Sequence, residues 1–140
     1  PAEARPVWQA RIDLATQQGM EPLVTPTLER WFTEGFRKGS PEAVARVAGM
    51  VRATPVAGYV GCCQAIAPLD ITDRLGAIGV PTLVLVGERD VGTPVEASRA
   101  IHQAIPHSHL GVIPSASHLS NIEQPEVFDF LLGRFLTAYR

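Results

Sequence analysis

Cysteine is nearly absent from this sequence. The chain of 140 residues holds two, side by side at Cys62 and Cys63. Adjacent cysteines rarely bridge each other without strain, so no disulfide framework is expected and a reducing, cytoplasmic setting is the default. Charge is sparse too. Asp, Glu, Lys and Arg make up 19% of the chain, the formal net charge is −2, and there is no basic run. That balance argues against a nucleic-acid footprint. No apolar run approaches the roughly 18 residues expected of a membrane span. The opening Pro1-Ala2-Glu3-Ala4-Arg5-Pro6 lacks the charged and apolar regions of a signal peptide. It also lacks an initiator methionine, so a fragment or a processed chain is expected. Internal repeats and low-complexity segments are missing as well.

What is present suits one ordinary domain, since 46% of the residues are hydrophobic. Residues 1–57 read as helices only, with no stretch that alternates with period two. Val7, Trp8, Ile12 and Ala15 recur at helical spacing until Gly19. Thr25-Pro26 reads as an N-cap followed by a first-turn proline, with Leu28, Trp31, Phe32 and Phe36 as the apolar stripe behind it. Ser40-Pro41-Glu42 repeats that signal ahead of Val44, Val47, Ala48 and Val51. Three short helices of this kind make a poor core alone and a good lid, so residues 1–57 are expected to be a helical lid.

Residues 58–140 read differently. A helical pattern runs through Tyr59, Val60, Cys62, Cys63 and Ile66 and ends at Pro68-Leu69-Asp70. The stretch Val80-Pro81-Thr82-Leu83-Val84-Leu85-Val86 is apolar except at Thr82, as a strand covered on both faces would be. Thr93-Pro94-Val95-Glu96 has the form of a capping box with proline at the first helical position. Ala97, Ala100, Ile101, Ala104 and Ile105 form the expected buried face of that helix. Leu110-Gly111-Val112-Ile113 is a second strand. Pro125 opens a last helix with Val127, Phe128, Leu131, Leu132 and Phe135 on one face. Strand, helix, strand, helix implies an α/β fold with parallel strands. Two such strands need neighbours to make a stable sheet.

The chemistry gathers where those strands stop. Asp90 follows the first strand and His118 the second, so both belong to one edge of the sheet, where open α/β folds place their ligands. Asp90 reads either as a carboxylate that orients a catalytic imidazole or as a helix-dipole partner in an ordinary turn. His118 reads either as a general base, imidazole being the side chain that exchanges protons near neutral pH, or as a loop residue packed on the last helix. Their separation leaves room for one crossover helix and one strand. His107 and His109 have metal-ligand spacing but no third ligand, so no metal is expected. His102 falls on the polar side of its helix and reads as solvent-facing. Cys62 and Cys63 read as small apolar packing. Trp8, Arg11, Trp31 and Arg37 could line an apolar pocket with a cationic end, suited to a carboxylate; the alternative is that the tryptophans are core and the arginines solvated.

A nucleophile is missing. In Ser–Asp–His hydrolases built on α/β sheets the serine precedes the acid in the chain. The one serine before Asp90 is Ser40, at a helix start, and no Gly-x-Ser-x-Gly occurs anywhere. No His-Gly segment of the kind that supplies an oxyanion hole occurs either.

These segments resemble the C-terminal half of the α/β-hydrolase superfamily. The general resemblance lies in residues 80–90 with Thr93-Pro94, then Ser117-His118 with Glu123-Gln124-Pro125 and Phe128. A narrower one lies in Trp8-Gln9-Ala10-Arg11-Ile12, Arg30-Trp31-Phe32-Thr33, Gly58-Tyr59-Val60-Gly61-Cys62-Cys63 and residues 117–123. Those are similar to the 3-oxoadipate enol-lactonases of aromatic catabolism through the β-ketoadipate pathway. The resemblance implies a helical lid over residues 1–57, and over residues 58–140 the C-terminal portion of the hydrolase core with its last two parallel strands. It implies hydrolysis of an enol-lactone to a keto-acid, with Asp90 and His118 catalytic and no metal or organic cofactor; beside it, the pocket reading of the residues makes Trp8, Arg11 and Trp31 the expected substrate contacts. It also implies a partner: an N-terminal half, as a separate chain or nicked fragment, carrying the serine and completing the sheet. Neither nucleic acid nor membrane is expected as a partner. Other readings are a carboxylesterase, a cofactor-free haloperoxidase-like enzyme, or a binding module derived from a hydrolase.

Overall fold

The computed structural model describes residues 5–139; Pro1–Ala4, with most of the opening segment read above for a leader, and Arg140 lie outside the described residues. The chain divides into two compact units. One comprises residues 1–29 and 40–70, the other residues 30–39 and 71–140.

The first unit is helical. Helix α1 (Arg5–Gln18) ends where Gly19 takes a φ of 75°, and its N–H closes on the Ala15 carbonyl at 2.9 Å. That left-handed cap is the conformation glycine adopts without steric cost. Helix α2 (Glu21–Trp31) overturns the start expected at Thr25-Pro26, because Pro26 lies inside it. A proline there cannot donate to the carbonyl one turn back, a defect of about 3 kcal/mol in a helix interior. Burial of Leu23, Val24 and Thr27 on either side keeps the helix intact. Helix α3 (Glu34–Gly39) follows as a separate piece. Helix α4 (Pro41–Ala53) starts where Ser40-Pro41 places it, though the Ser40 hydroxyl makes no capping bond, and it buries Val47, Ala48 and Val51. Residues 5–53 therefore form four helices where three were expected. Helix α5 (Val56–Ile66) packs on α1 and buries Cys63, while Cys62 is exposed. The packing role read for the two cysteines holds for Cys63 alone.

The second unit carries the sheet. After a 3-10 turn (Thr72–Ala77), strand β1 (Thr82–Gly87) pairs in parallel with β2 (Ser108–Ile113), in a register that sets Thr82 opposite Ser108 and Gly87 opposite Ile113. Helix α6 (Val95–Ala104) makes the crossover and packs on both strands. Helix α7 (Ser120–Glu123) and helix α8 (Pro125–Ala138) complete the unit, with α8 also against both strands. Gly111 lets that packing close, because a β-carbon there would run into Leu85 and into Leu131 of α8.

Three expectations about this unit need correction. Strand β1 is only half-buried from Thr82 to Leu85, and Val80 before it is 65% exposed. The physical reason is the sheet's width: among the described residues β1 has β2 on one edge and no strand on the other. Ala97, Ala100 and Ile101 are exposed, and α6 buries Ser98 instead, with Ile105 buried just past its end. His102 is half-buried, with Nδ1 at 2.7 Å from the Ser108 hydroxyl.

Candidate active site

The register of β1 and β2 brings Gly87 and Ile113 level, so the turns that follow them leave the sheet side by side. Backbone donors stitch the turns together. The Glu88 N–H donates to the Ile113 carbonyl at 2.9 Å, the Arg89 N–H donates to the Ala116 carbonyl at 2.8 Å, and the Ser115 N–H donates to the Glu88 carboxylate at 2.9 Å. Gly87 is what allows the approach. A β-carbon there would overlap the carbonyl oxygens of Ala116 and Ser117.

Asp90 sits in the first turn and is 6% exposed. Its Oδ1 accepts the N–H groups of Gly92 at 2.8 Å and Thr93 at 2.9 Å. Its Oδ2 accepts the Thr93 hydroxyl at 2.7 Å and lies 2.8 Å from Nδ1 of His118. Burial by itself pushes this carboxyl up. The hydrogen bonds from Thr93, His118 and Gly92 together outweigh it and hold the carboxyl below its ordinary value. A carboxylate can only accept, so Nδ1 of His118 carries the proton. In a neutral imidazole that tautomer makes Nε2 the ring nitrogen able to accept a proton.

The His118 side chain is 37% exposed. One of its neighbours is Trp31, whose ring stacks on the imidazole with centroids 6.0 Å apart and planes 25° apart. Backbone holds Trp31 there: the Leu119 N–H donates to the Trp31 carbonyl at 3.1 Å. The Ser117 hydroxyl donates to the Arg30 carbonyl at 2.8 Å.

The sequence-derived candidates therefore fall into two groups. Asp90, His118 and Trp31 come together in the second unit. Trp8 and Arg11 pair with each other on α1, the guanidinium carbon 4.8 Å from the ring centre. Ser40 stands at the N-cap of α4 without a side-chain capping bond. The His107–His109 motif does not form a strand ligand pair, because β2 begins at Ser108 and His107 sits in a left-handed turn with φ 58°. His109 instead meets the Tyr139 hydroxyl at 2.7 Å. Among the described residues no group of three or more His, Cys, Asp or Glu side chains could hold a metal ion, and no helix is long and apolar enough to cross a membrane.

Thr93 is the residue that local reading misassigned. It was expected to cap α6, yet Pro94 occupies the N-cap position and no side-chain cap bond forms. The Thr93 hydroxyl is committed to Asp90. An aspartate followed by a small loop and a threonine is itself an Asx-turn signal, which could have marked the pairing.

The chain is 39% identical over 122 residues to 3-oxoadipate enol-lactonase 2 of Acinetobacter baylyi, a match covering 87% of this chain and 45% of that protein. It is 34% identical over 131 residues to 3-oxoadipate enol-lactonase 1 of the same organism, covering 94% of this chain and 49% of that one. The crystal structure of the enol-lactonase from Burkholderia xenovorans LB400 superposes with a TM-score of 0.91 at 32% identity, over 94% of this chain and 50% of that one. The chain belongs to the α/β-hydrolase superfamily. Its fold is that of the C-terminal part of such a hydrolase, two parallel strands with flanking helices. It spans about half the length of the curated relatives it matches. No protein-family model matches it.

Proposed function

We propose that this chain supplies the acid and the base of a Ser–Asp–His hydrolase that opens a carboxylic ester or lactone. The observation that carries this reading is the hydrogen bond between Asp90 and Nδ1 of His118, made by a buried carboxylate whose other bonds fix its orientation. In this scheme a serine from outside these 140 residues attacks the ester carbonyl. Nε2 of His118 takes its proton as the tetrahedral intermediate forms, and Asp90 stabilises the resulting imidazolium. The imidazolium then protonates the departing oxygen. In the second half-reaction His118 deprotonates water, which releases the acyl group from the serine.

The favoured substrate is 3-oxoadipate enol-lactone, opened to 3-oxoadipate in cytoplasmic aromatic catabolism by the β-ketoadipate pathway. Support comes from the names of the relatives at 39% and 34% identity. Trp31, Trp8 and Arg11 are the proposed substrate contacts. Trp31 is supported by its stacking on His118. Trp8 and Arg11 are supported by their aromatic–guanidinium pairing, which suits a carboxylate held against an apolar wall. The proposed partner is an N-terminal half that brings the serine, the oxyanion hole and the strands flanking β1. These residues alone would then be inactive.

The test is turnover of enol-lactone and of simple aryl esters by the chain alone and together with such an N-terminal half. Activity on the enol-lactone that appears only with the partner supports the reading. An active, monodisperse chain of these 140 residues would refute the need for a partner. Preference for aryl esters would move the assignment to a general esterase. A companion without a serine elbow, and no turnover of either substrate, would leave a binding module.

A further inference from the structure

Glu123 takes no part in the scheme above, yet the residue is only 8% exposed. Three donors converge on it. Oε1 accepts the Thr33 N–H at 2.8 Å and the Thr33 hydroxyl at 2.7 Å. Oε2 accepts the Ser117 N–H. Thr33 closely follows Trp31, and Ser117 immediately precedes His118. The two segments so joined are those whose rings stack on each other. No local pattern around α7 calls for a buried acid, so the position needs an explanation beyond helix formation. We propose that Glu123 is a positioning residue for His118. Its two oxygens clamp the histidine turn to the Trp31–Thr33 segment and so hold the imidazole between Asp90 and Trp31.

The chemistry requires a carboxylate. Donors stand on both sides of Glu123, and only a group with two acceptor oxygens can satisfy both. A glutamine has one, and its amide N–H would face either Thr33 or Ser117 as donor against donor. Relieving that conflict moves the backbone at Ser117 and with it the ring of His118. The bond to Asp90 is sensitive to such a shift, since misplacement of a reacting group by about 1 Å can cost on the order of 100-fold in rate. This inference rests on His118 acting as the base.

The experiment uses the complete hydrolase that contains these residues. It compares Glu123→Gln with the parent in kcat, in KM and in the downfield proton NMR signal of the imidazole Nδ1–H shared with Asp90, identified by its loss in His118→Ala. The expected result is a fall in kcat of about 10- to 100-fold with KM within about threefold, and a shifted or exchange-broadened Nδ1–H signal. Turnover within twofold of the parent, or an unmoved signal, would overturn the positioning role and leave Glu123 a structural residue. Should Glu123→Gln fail to fold, Thr33→Val removes one of the three donors and should act in the same direction by several-fold; an unchanged kcat and signal there would overturn it equally. His118→Ala separates this failure from that of the base itself. If that variant keeps its turnover, the reading of His118 falls; if it loses turnover while Glu123→Gln does not, only the clamp falls.

Discussion

Nδ1 of His118 lies 2.8 Å from Oδ2 of Asp90, and the same oxygen accepts the Thr93 hydroxyl at 2.7 Å. One carboxylate oxygen thus serves both the imidazole and the residue that steadies the carboxylate. The consequences of that sharing can be measured.

Asp90→Asn tests the pairing itself. An amide can present its NH2 group to Nδ1, which would then have to accept and leave the proton on Nε2. That is the wrong tautomer for a base, so kcat in the complete hydrolase should fall by about 10⁴-fold with KM changed little. Steady-state kinetics reads the result, and a loss below tenfold would contradict the assigned role of Asp90.

Thr93→Val removes a donor to Asp90 and leaves the shape of the side chain nearly intact. One hydrogen bond to a charged group contributes about 1.5–3 kcal/mol. Denaturant unfolding should show a loss within or below that range, and kcat should drop by roughly tenfold as the carboxylate gains freedom. A variant matching the parent in both would return Thr93 to the part of an ordinary loop residue.

The lowered carboxyl of Asp90 makes a signed prediction about acid. Its folded value lies below the ordinary 3.8, so the unfolded chain takes up the proton first as pH drops. The stability it contributes is fully present above about pH 4–5, declines as pH falls below the ordinary value, and is gone once the folded carboxyl is protonated. Thermal melts of the parent and of Asp90→Asn across pH 3–7 should therefore differ most near neutrality and converge at the acid end. A constant difference throughout that range would contradict the hydrogen-bonded, ionised state.

Gly87→Ala tests how closely the two turns approach. Its methyl would overlap backbone oxygens of Ala116 and Ser117, which cannot rotate away as a side chain can. The expected cost is about 3 kcal/mol in chemical denaturation, with activity falling further as the Asp90 and His118 turns separate. Pro26→Ala should do the opposite in α2. Restoring the missing N–H should raise stability by about 1–2 kcal/mol, after allowing for the freer unfolded chain.

The strand ends, the crossover helix and the Asp90–His118 edge were legible from residue order alone, because apolar runs closed by turn residues carry their own punctuation. Pro26 shows where such reading stops. Its local preference is for a first turn, and burial of Leu23, Val24 and Thr27 overrides it. Thr93 shows a second limit. Capping α6 and bonding Asp90 are equally available to a hydroxyl at that position, and only the folded turn decides between them. Ala97, Ala100 and Ile101 show a third: periodicity identifies an apolar stripe and cannot say whether anything covers it. Glu123 lay in a segment marked by resemblance, but its bonds were not legible there, because Thr33 reaches it from ninety residues away.

The outer edge of β1 carries one further consequence. Its backbone donors and acceptors on that side have no strand beside them among the described residues, and its side chains are Leu, Val, Leu and Val from Leu83 to Val86. Such an edge is a template for another chain. A polypeptide of these residues alone would offer that edge to copies of itself, so its yield and its melting temperature would both depend on protein concentration. A yield and melting temperature that no longer change with concentration would then be a sign, independent of turnover, that the edge had found its proper neighbour.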